Sequence, residues 1–271
     1  MTKAKRQMEE DIKLVDLVIE LLDARVPYSS RNPDIDKLAK GKARIVILNK
    51  SDLADESANR IWKDHFETAG IPVIFADSRK ASTFQKTLSA AVLESCKEKI
   101  ARDARKGIKN RPIRAMVAGI PNVGKSTFIN SYAGKAVAKT GNKPGVTKGR
   151  QWIRFGKNLE LLDTPGILWP KFEDEKVGQR LALIGSINDN ILGIEEMAVI
   201  LIDFLKEKYP GALNARYALE EEKQAADILY EIGVRRGCVI KGNEISYEKA
   251  SAALIDDFRS GKLGRITLER P

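Results

Sequence analysis

The nine residues Gly119 to Thr127, G-I-P-N-V-G-K-S-T, restrict the fold of this chain more than any other stretch. A mostly apolar run, Ile113 to Ala118, leads into them and Phe128 to Tyr132 continues as a helix, so a buried strand, a tight glycine loop and a helix must follow one another. A phosphate-binding loop has this arrangement. Gly119 and Gly124 let the backbone curl with its N–H groups inward, and Lys125 brings a point charge to the β- and γ-phosphates. Ser126 offers a hydroxyl to Mg²⁺, while the helix aims its positive dipole end at the anion. Pro121, Asn122, Val123 and Thr127 line the same loop. A glycine turn without ligand would have to match the full G-x-x-x-x-G-K-[ST] pattern and both flanks by accident.

Charge is unevenly spread over the 271 residues, whose net value is +10. Residues 1–96 carry 16 basic and 15 acidic groups, 97–157 carry 16 and 2, and 158–271 carry 15 and 20. The middle block therefore holds the whole excess. One triphosphate with its Mg²⁺ cannot use so many positive charges, so a second polyanion, most simply RNA, is the expected partner. The basic stretch Ala101 to Arg114, around Gly107 and Pro112, is read as a linker that touches RNA backbone. The longest uninterrupted apolar run, Met197 to Ile202, is too short to cross a bilayer, and a charged N-terminus without an apolar core predicts a cytoplasmic protein. Cys96 and Cys238 stand alone, and the single His65 sits in a helical stretch, so no cysteine- or histidine-based metal or redox centre is expected.

A second stretch carrying chemistry lies earlier in the chain. The buried strand Arg44 to Leu48 ends in Asn49-Lys50-Ser51-Asp52, the N-K-x-D pattern that reads guanine. The Asp52 carboxylate can accept hydrogen bonds from the ring N–H and exocyclic amine of guanine; adenine has a ring acceptor there and no such amine. The wrong base leaves the carboxylate unpaired, which gives strong discrimination. Asn49 is expected on the Hoogsteen edge and the Lys50 stem on the base plane. After a strand at Pro72 to Ala76, Asp77 and Ser78 occupy the place where backbone N–H groups meet the base. Ser82 to Gln85 reads as a capping box for a helix to about Ile100.

Beyond the phosphate loop, the Gly/Pro-rich stretch Thr140 to Arg150 suits a switch segment, with Thr147 reaching Mg²⁺ and the γ-phosphate. The hairpin Gln151–Phe155 and Leu159–Leu162 ends in Asp163-Thr164-Pro165-Gly166, where Asp163 would hold Mg²⁺ through water and the Gly166 N–H would sense the γ-phosphate. Ile167 stands where Ras-like enzymes place a water-orienting glutamine, which predicts slow turnover until a partner, or a segment outside this chain, supplies the missing group.

The order of these boxes is unusual, because N-K-x-D and Asp77-Ser78 precede the phosphate loop. Together with D-A-R-V-P-Y-S-S-R-N-P, L-N-K-S-D, P-G-V-T-K and L-L-D-T-P-G-I-L-W-P-K-F-E-D, this order resembles the circularly permuted GTPases of the ribosome biogenesis GTPase A family. The resemblance extends over nearly the whole chain. It implies an α/β fold, a circularly permuted P-loop GTPase domain with a mostly parallel sheet, followed by a small all-α domain that the family uses on ribosomal RNA. It also implies a cytoplasmic factor that binds GTP and GDP with Mg²⁺, hydrolyses GTP on the maturing large (50S) subunit and its rRNA, and then leaves. Asn122 resembles the asparagine that holds K⁺ in cation-dependent GTPases. Family members usually carry a segment ending in Pro-Gly-His-Met with a proposed catalytic histidine; this sequence begins at the corresponding methionine.

The expected domains are 1–170 and 171–271, with Lys125, Thr147, Gly166 and Asn122 as catalytic candidates. No DNA or membrane partner and a monomer off the ribosome are expected. Two other classes compete: a nucleotide-gated RNA-binding protein in which hydrolysis is incidental, and a phosphotransferase, disfavoured by the guanine pattern.

Overall fold

The computed structural model describes residues 3–80, 84–108, 111–134, 151–155, 158–163, 174–188 and 193–271. Thr147, Gly166, Ile167 and the Ser82–Thr83 half of the expected capping box lie outside the described residues. The chain divides into two compact units, Met1–Asp52 with Glu56–Lys171 and Glu269–Pro271, and Leu53–Asp55 with Phe172–Leu268.

The first unit is built on a six-stranded sheet. Its strands are β1 (Leu17–Asp23), β2 (Ala43–Asn49), β3 (Val73–Ala76), β4 (Ile113–Ala118), β5 (Gln151–Phe155) and β6 (Leu159–Asp163), in the spatial order β3-β2-β1-β4-β6-β5. All pairings are parallel except β5 with β6, the expected hairpin. β1 is buried at every position, as a strand covered on both faces must be. Around the sheet lie α1 (Lys3–Lys13), α2 (Ile35–Leu38), α3 (Glu56–Thr68), α4 (Gln85–Ser95), α5 (Lys97–Arg105) and α6 (Lys125–Ala133). Met8 and Ile12 of α1, one turn apart, pack with Val18, Met116, Ala118 and Leu162, so the first helix closes the core over β1, β4 and β6.

Strand order decides where the chemistry sits. The chain builds β1, β2 and β3 outward in one direction, then β4, β6 and β5 in the other, so the order reverses between β1 and β4. In open α/β sheets that reversal opens a crevice at the carboxyl ends of the strands. Asp23, Asn49, Ala76, Ala118 and Asp163 all end strands on this edge.

Two local expectations change. The helix predicted to about Ile100 breaks at Cys96 into α4 and α5, and the stretch read as a linker from Ala101 is helical to Arg105. Basic charge and the nearby Gly107 and Pro112 suggested a linker; however, Lys, Glu, Ala and Arg are all good helix formers.

The second unit is helical, with α7 (Glu175–Leu183), α8 (Ile194–Lys208), α9 (Ala212–Tyr217), α10 (Ala225–Arg235) and α11 (Tyr247–Arg259). Met197, Leu201 and Leu205 of α8, each one turn from the next, are buried, as are Leu254 and Phe258 of α11. α9 is too short to leave a periodic signal. Its Tyr217 hydroxyl and Arg216 both donate to buried Asp257, which also pairs with Lys262. Burial alone would raise the Asp257 carboxyl, but these donors outweigh it and hold it below the usual carboxylate range.

Candidate nucleotide site

Asn49 holds the site together. It is buried at the end of β2, its Nδ2 donates to the Val123 carbonyl in the phosphate loop at 2.7 Å, and its Oδ1 accepts from Ser78 N at 3.0 Å and Ser78 Oγ at 2.7 Å. One amide thus joins three loops that the sequence separates by up to 74 residues. Both ends of the side chain are engaged by protein, so the amide positions the other loops, and the expected base contact would use the second N–H of the same amide group. Asp77 and Ser78 do lie beside the N-K-S-D loop. Ser51 N and Oγ both donate to the Ala76 carbonyl at 3.2 Å, and Asn59 donates to the Ser51 carbonyl, fastening the loop to the end of β3.

Lys50 ties the loops from the other side. Its Nζ donates to the Asn122 carbonyl at 3.0 Å and lies 2.9 Å from Asp23 Oδ2. Both Lys50 (φ 56°) and Asn122 (φ 62°) have left-handed backbones, which costs on the order of 1–3 kcal/mol at each non-glycine residue, so the surrounding bonds must hold them there. Asp23 also takes a two-pronged bond from Arg25, Nε to Oδ1 at 2.9 Å and the terminal nitrogen to Oδ2 at 2.8 Å. Burial works to raise the Asp23 carboxyl, but Arg25 and Lys50 prevail and hold it far below the usual carboxylate range. The Asp23 N–H donates to Ser30 Oγ, and Ser29 is bound through N and Oγ to the Glu269 carboxylate at 2.8 and 2.5 Å. Sequence reasoning missed this second tier; the D-A-R triplet after a buried, mostly apolar strand was its visible sign.

The phosphate loop has the shape its pattern predicts. Gly124 has φ 96° and caps α6, and Asn122 and Gly124 together turn the chain into the helix. Both pattern glycines also answer a packing demand. A Cβ on Gly119 would meet the Leu21 carbonyl oxygen at 2.6 Å, and one on Gly124 would meet Asn49 Nδ2 at 2.6 Å. Gly124→Ala is therefore expected to cost at least about 2 kcal/mol of stability, from a disallowed backbone and a clash with the buried amide, and to lower nucleotide affinity. Thermal unfolding and GDP titration measure the two effects. Lys125 is buried, its Nζ donating to the Gly119 and Ile120 carbonyls at 2.9 Å each. Ser126 and Thr127 begin α6, half-buried, and Pro121 and Val123 form the loop's flank and floor.

At the base-reading end, Asp52 is met by the Arg79 guanidinium at 2.6 Å, which also bonds Asp77 through Nε at 2.8 Å. A bond from Arg79 is the main reason the Asp77 carboxyl is held down. Arg79 is exposed, and an exposed pair is worth only about 0–1 kcal/mol, so a base offering two donors to Asp52 displaces it at little cost.

Mg²⁺ is the metal such a loop uses. The fit rests on the sheet: Val117 in β4 is in register with Asp163 in β6, so the loop that leads to Ser126 and the carboxylate-bearing residue lie at the ends of adjacent strands on one edge. Among the described residues no His, Cys, Asp and Glu cluster forms a separate metal centre, and no helix is long and apolar enough to cross a membrane.

A model of the 50S ribosome-binding GTPase family matches residues 114–233. The match starts inside β4 and omits Asn49 to Asp52, as a permuted order requires. Over its full length the chain is 50% identical to ribosome biogenesis GTPase A of Bacillus licheniformis, covering 96% of that protein. This chain belongs to the ribosome biogenesis GTPase A family. The family's solved structures agree. GDP-bound TM YlqF superimposes with a TM-score of 0.72 at 26% identity, over 98% of this chain and 99% of that one. GNP-bound YlqF from T. maritima gives 0.69 at 28%, over 100% and 99%. The fold is accordingly a circularly permuted P-loop GTPase domain with a helical second part, and the chain is a GTP hydrolase.

Proposed function

We propose that this GTPase is an assembly factor for the large (50S) ribosomal subunit, binding it at a late step of maturation with GTP and leaving when GTP is hydrolysed. The observation that carries the proposal is the Asn49 amide, which fixes a guanine-reading loop and a phosphate loop to each other in a chain matched end to end by a ribosome biogenesis GTPase A. The basic block 97–157 supports a ribosomal RNA partner. The cytoplasm, a monomer off the ribosome, and a division of labour between residues 1–170 and 171–271 belong to the same reading.

In this reading Asp52 takes the guanine N–H groups, with Ser51, Asp77 and Ser78 framing the base and Lys50 lying along it. Gly124, Lys125, Ser126 and Thr127 hold the phosphates at the start of α6, where backbone N–H groups and the helix dipole favour an anion. Lys125, already held toward the loop by two carbonyls, needs only to exchange these for phosphate oxygens. Ser126, Thr147 and Asp163 would hold Mg²⁺, which when bound offsets charge building on the phosphates. Asn122 would hold K⁺ beside them, and Gly166 would report the γ-phosphate. No residue among these is a strong general base, so turnover is slow until the subunit completes the site.

GTP turnover measured with and without isolated immature and mature large subunits tests the proposal. Stimulation by the subunit is expected; a rate indifferent to both sinks it. Asp52→Ala should lower the preference for GTP over ATP by about a hundredfold or more, since two charge-assisted bonds are lost. Calorimetry with both nucleotides reads this, and an unchanged preference refutes the base assignment.

A further inference from the structure

The sheet edge opposite the nucleotide loops carries a second, differently built surface. β1 and β2 begin there, and the segments entering them, with the end of α4 and with α5, enclose a cleft of about 970 Å³. Its charged lining is Asp16, Lys42, Glu98, Lys99, Arg102 and Arg105. Some of these charges are used internally. Lys42 donates to the Val15 carbonyl at 2.7 Å, and Lys99 pairs with Asp103 at 2.8 Å and Asp16 at 3.4 Å. Arg111 lies 3.9 Å from each of the same two carboxylates. Asp16 and Asp103 are therefore shared between Lys99 and Arg111 and Glu98 remains as a further carboxylate in the lining, whereas Arg102 acts on Asp103 only at longer range and the Arg102 and Arg105 guanidinium groups form no hydrogen bond or ion pair among the described residues.

Three further observations bear on this cleft. First, α5 buries none of its nine residues, although a helix this short is not stable on propensity alone and usually pays its way by burying a face. Arg102, Arg105 and Lys106 recur at three and four, so they share one exposed face with Cβ atoms about 5–6 Å apart. Secondly, these charges cannot serve the nucleotide. The seven residues of β1 span roughly 23 Å, nearly three Debye lengths at physiological salt, between the cleft and the phosphate loop's edge. Thirdly, Cys96 at the cleft has its thiol pushed up to about 11, by burial first and by Asp16 second, so the surface offers charge and no thiolate chemistry.

We propose that α5 and this cleft form a docking surface for the phosphate backbone of structured RNA, with Arg102 and Arg105 each able to grip a phosphate by two parallel N–H bonds and Lys106 adding a point charge. The proposal rests on the ribosomal reading above for its choice of polyanion, and it names a surface at the opposite ends of the strands from the GTP loops. RNA contact through this face leaves the nucleotide edge open, so the GTPase can be bound to RNA and still exchange or hydrolyse nucleotide.

The test uses the full chain and the variant R102Q/R105Q/K106Q, with three probes: a duplex RNA oligonucleotide, isolated large subunits, and vesicles containing phosphatidylserine. RNA affinity is followed between about 50 and 200 mM salt, where each lost phosphate contact lowers the slope of log K against log salt by about 0.7–0.9. The expected result is a slope smaller by about two to three, an affinity at least tenfold weaker for duplex RNA, and unchanged GDP binding. Equal RNA affinity and slope for the two proteins, no RNA binding by the parent chain, or vesicle binding that is as strong as RNA binding and lost with the same substitutions, each overturns the proposal. If the parent binds duplex RNA through these residues but no large subunit, the surface stands and the ribosomal reading falls. If the parent binds subunits and the variant binds both RNA probes equally well, the surface falls and that reading stands.

Discussion

Asn49→Ala is expected to unfold at least about 2 kcal/mol more easily than the parent chain and to bind GDP about a hundredfold more weakly. The alanine leaves the Val123 carbonyl and the Ser78 N–H without their partner in a buried site, and each orphaned group costs about 1–3 kcal/mol. The loss in affinity is a separate effect. Without the amide, the loops bearing Asp52, Ser78 and Lys125 are no longer fixed to one another, and the nucleotide must pay to order them. Combining this substitution with Gly124→Ala gives a sharper test. The Gly124 Cβ would collide with Asn49 Nδ2, so removing that amide removes the collision and leaves only the strain of φ 96°. The double variant should therefore be less damaged than the two single losses predict together. Additive losses in thermal unfolding would show that Gly124 and Asn49 do not share the space assigned to them.

The same residue shows how much of the molecule could be read beforehand. N-K-S-D and G-x-x-x-x-G-K-S disclosed the two loops that Asn49 joins, the strands that carry them and the permuted order, because a glycine turn between a buried strand and a helix has few solutions. What Asn49 does was hidden. Residue type allows an amide to touch a base or a backbone equally well, and only the fold brings Val123 to it across 74 positions. Glu269 is a more extreme case: a single carboxylate near the C-terminus, with no motif around it, holds the Ser29 loop across 240 residues. Pattern reasoning also misjudged α5. A run of Lys and Arg beside Gly107 and Pro112 has the composition of a solvated linker, and nothing in its apolar spacing marks a helix that buries no residue. The loops that a pattern marks were legible; the contacts by which Asn49 and the isolated polar residues tie them together were not.

Those isolated polar residues set the largest expected loss of stability, at Asp23. Asp23→Asn keeps the shape of the side chain but removes the charge that compensates Arg25, which is only 2% exposed, and Lys50. Removing one partner of a buried pair costs about 3–5 kcal/mol, mainly because the stranded guanidinium stays buried. Lys50 would also lose its ion pair with Asp23, so its grip on the Asn122 carbonyl and the left-handed turn there should loosen, weakening GTP binding as well. The pH dependence has a definite sign. The folded carboxyl lies below its unfolded value, so the folded chain resists protonation there; the stability this contributes is complete above the unfolded value, near pH 4, and drains away as pH falls toward the folded one. Denaturation of the parent should therefore become steadily easier below about pH 4, and the asparagine variant, lacking the titrating group, should show a shallower acid decline from a lower starting point. Urea melts at neutral and acid pH measure both quantities. A variant within about 1 kcal/mol of the parent at neutral pH would mean that Arg25 finds other acceptors, and that the Asp23 carboxylate does not hold the two loops in place.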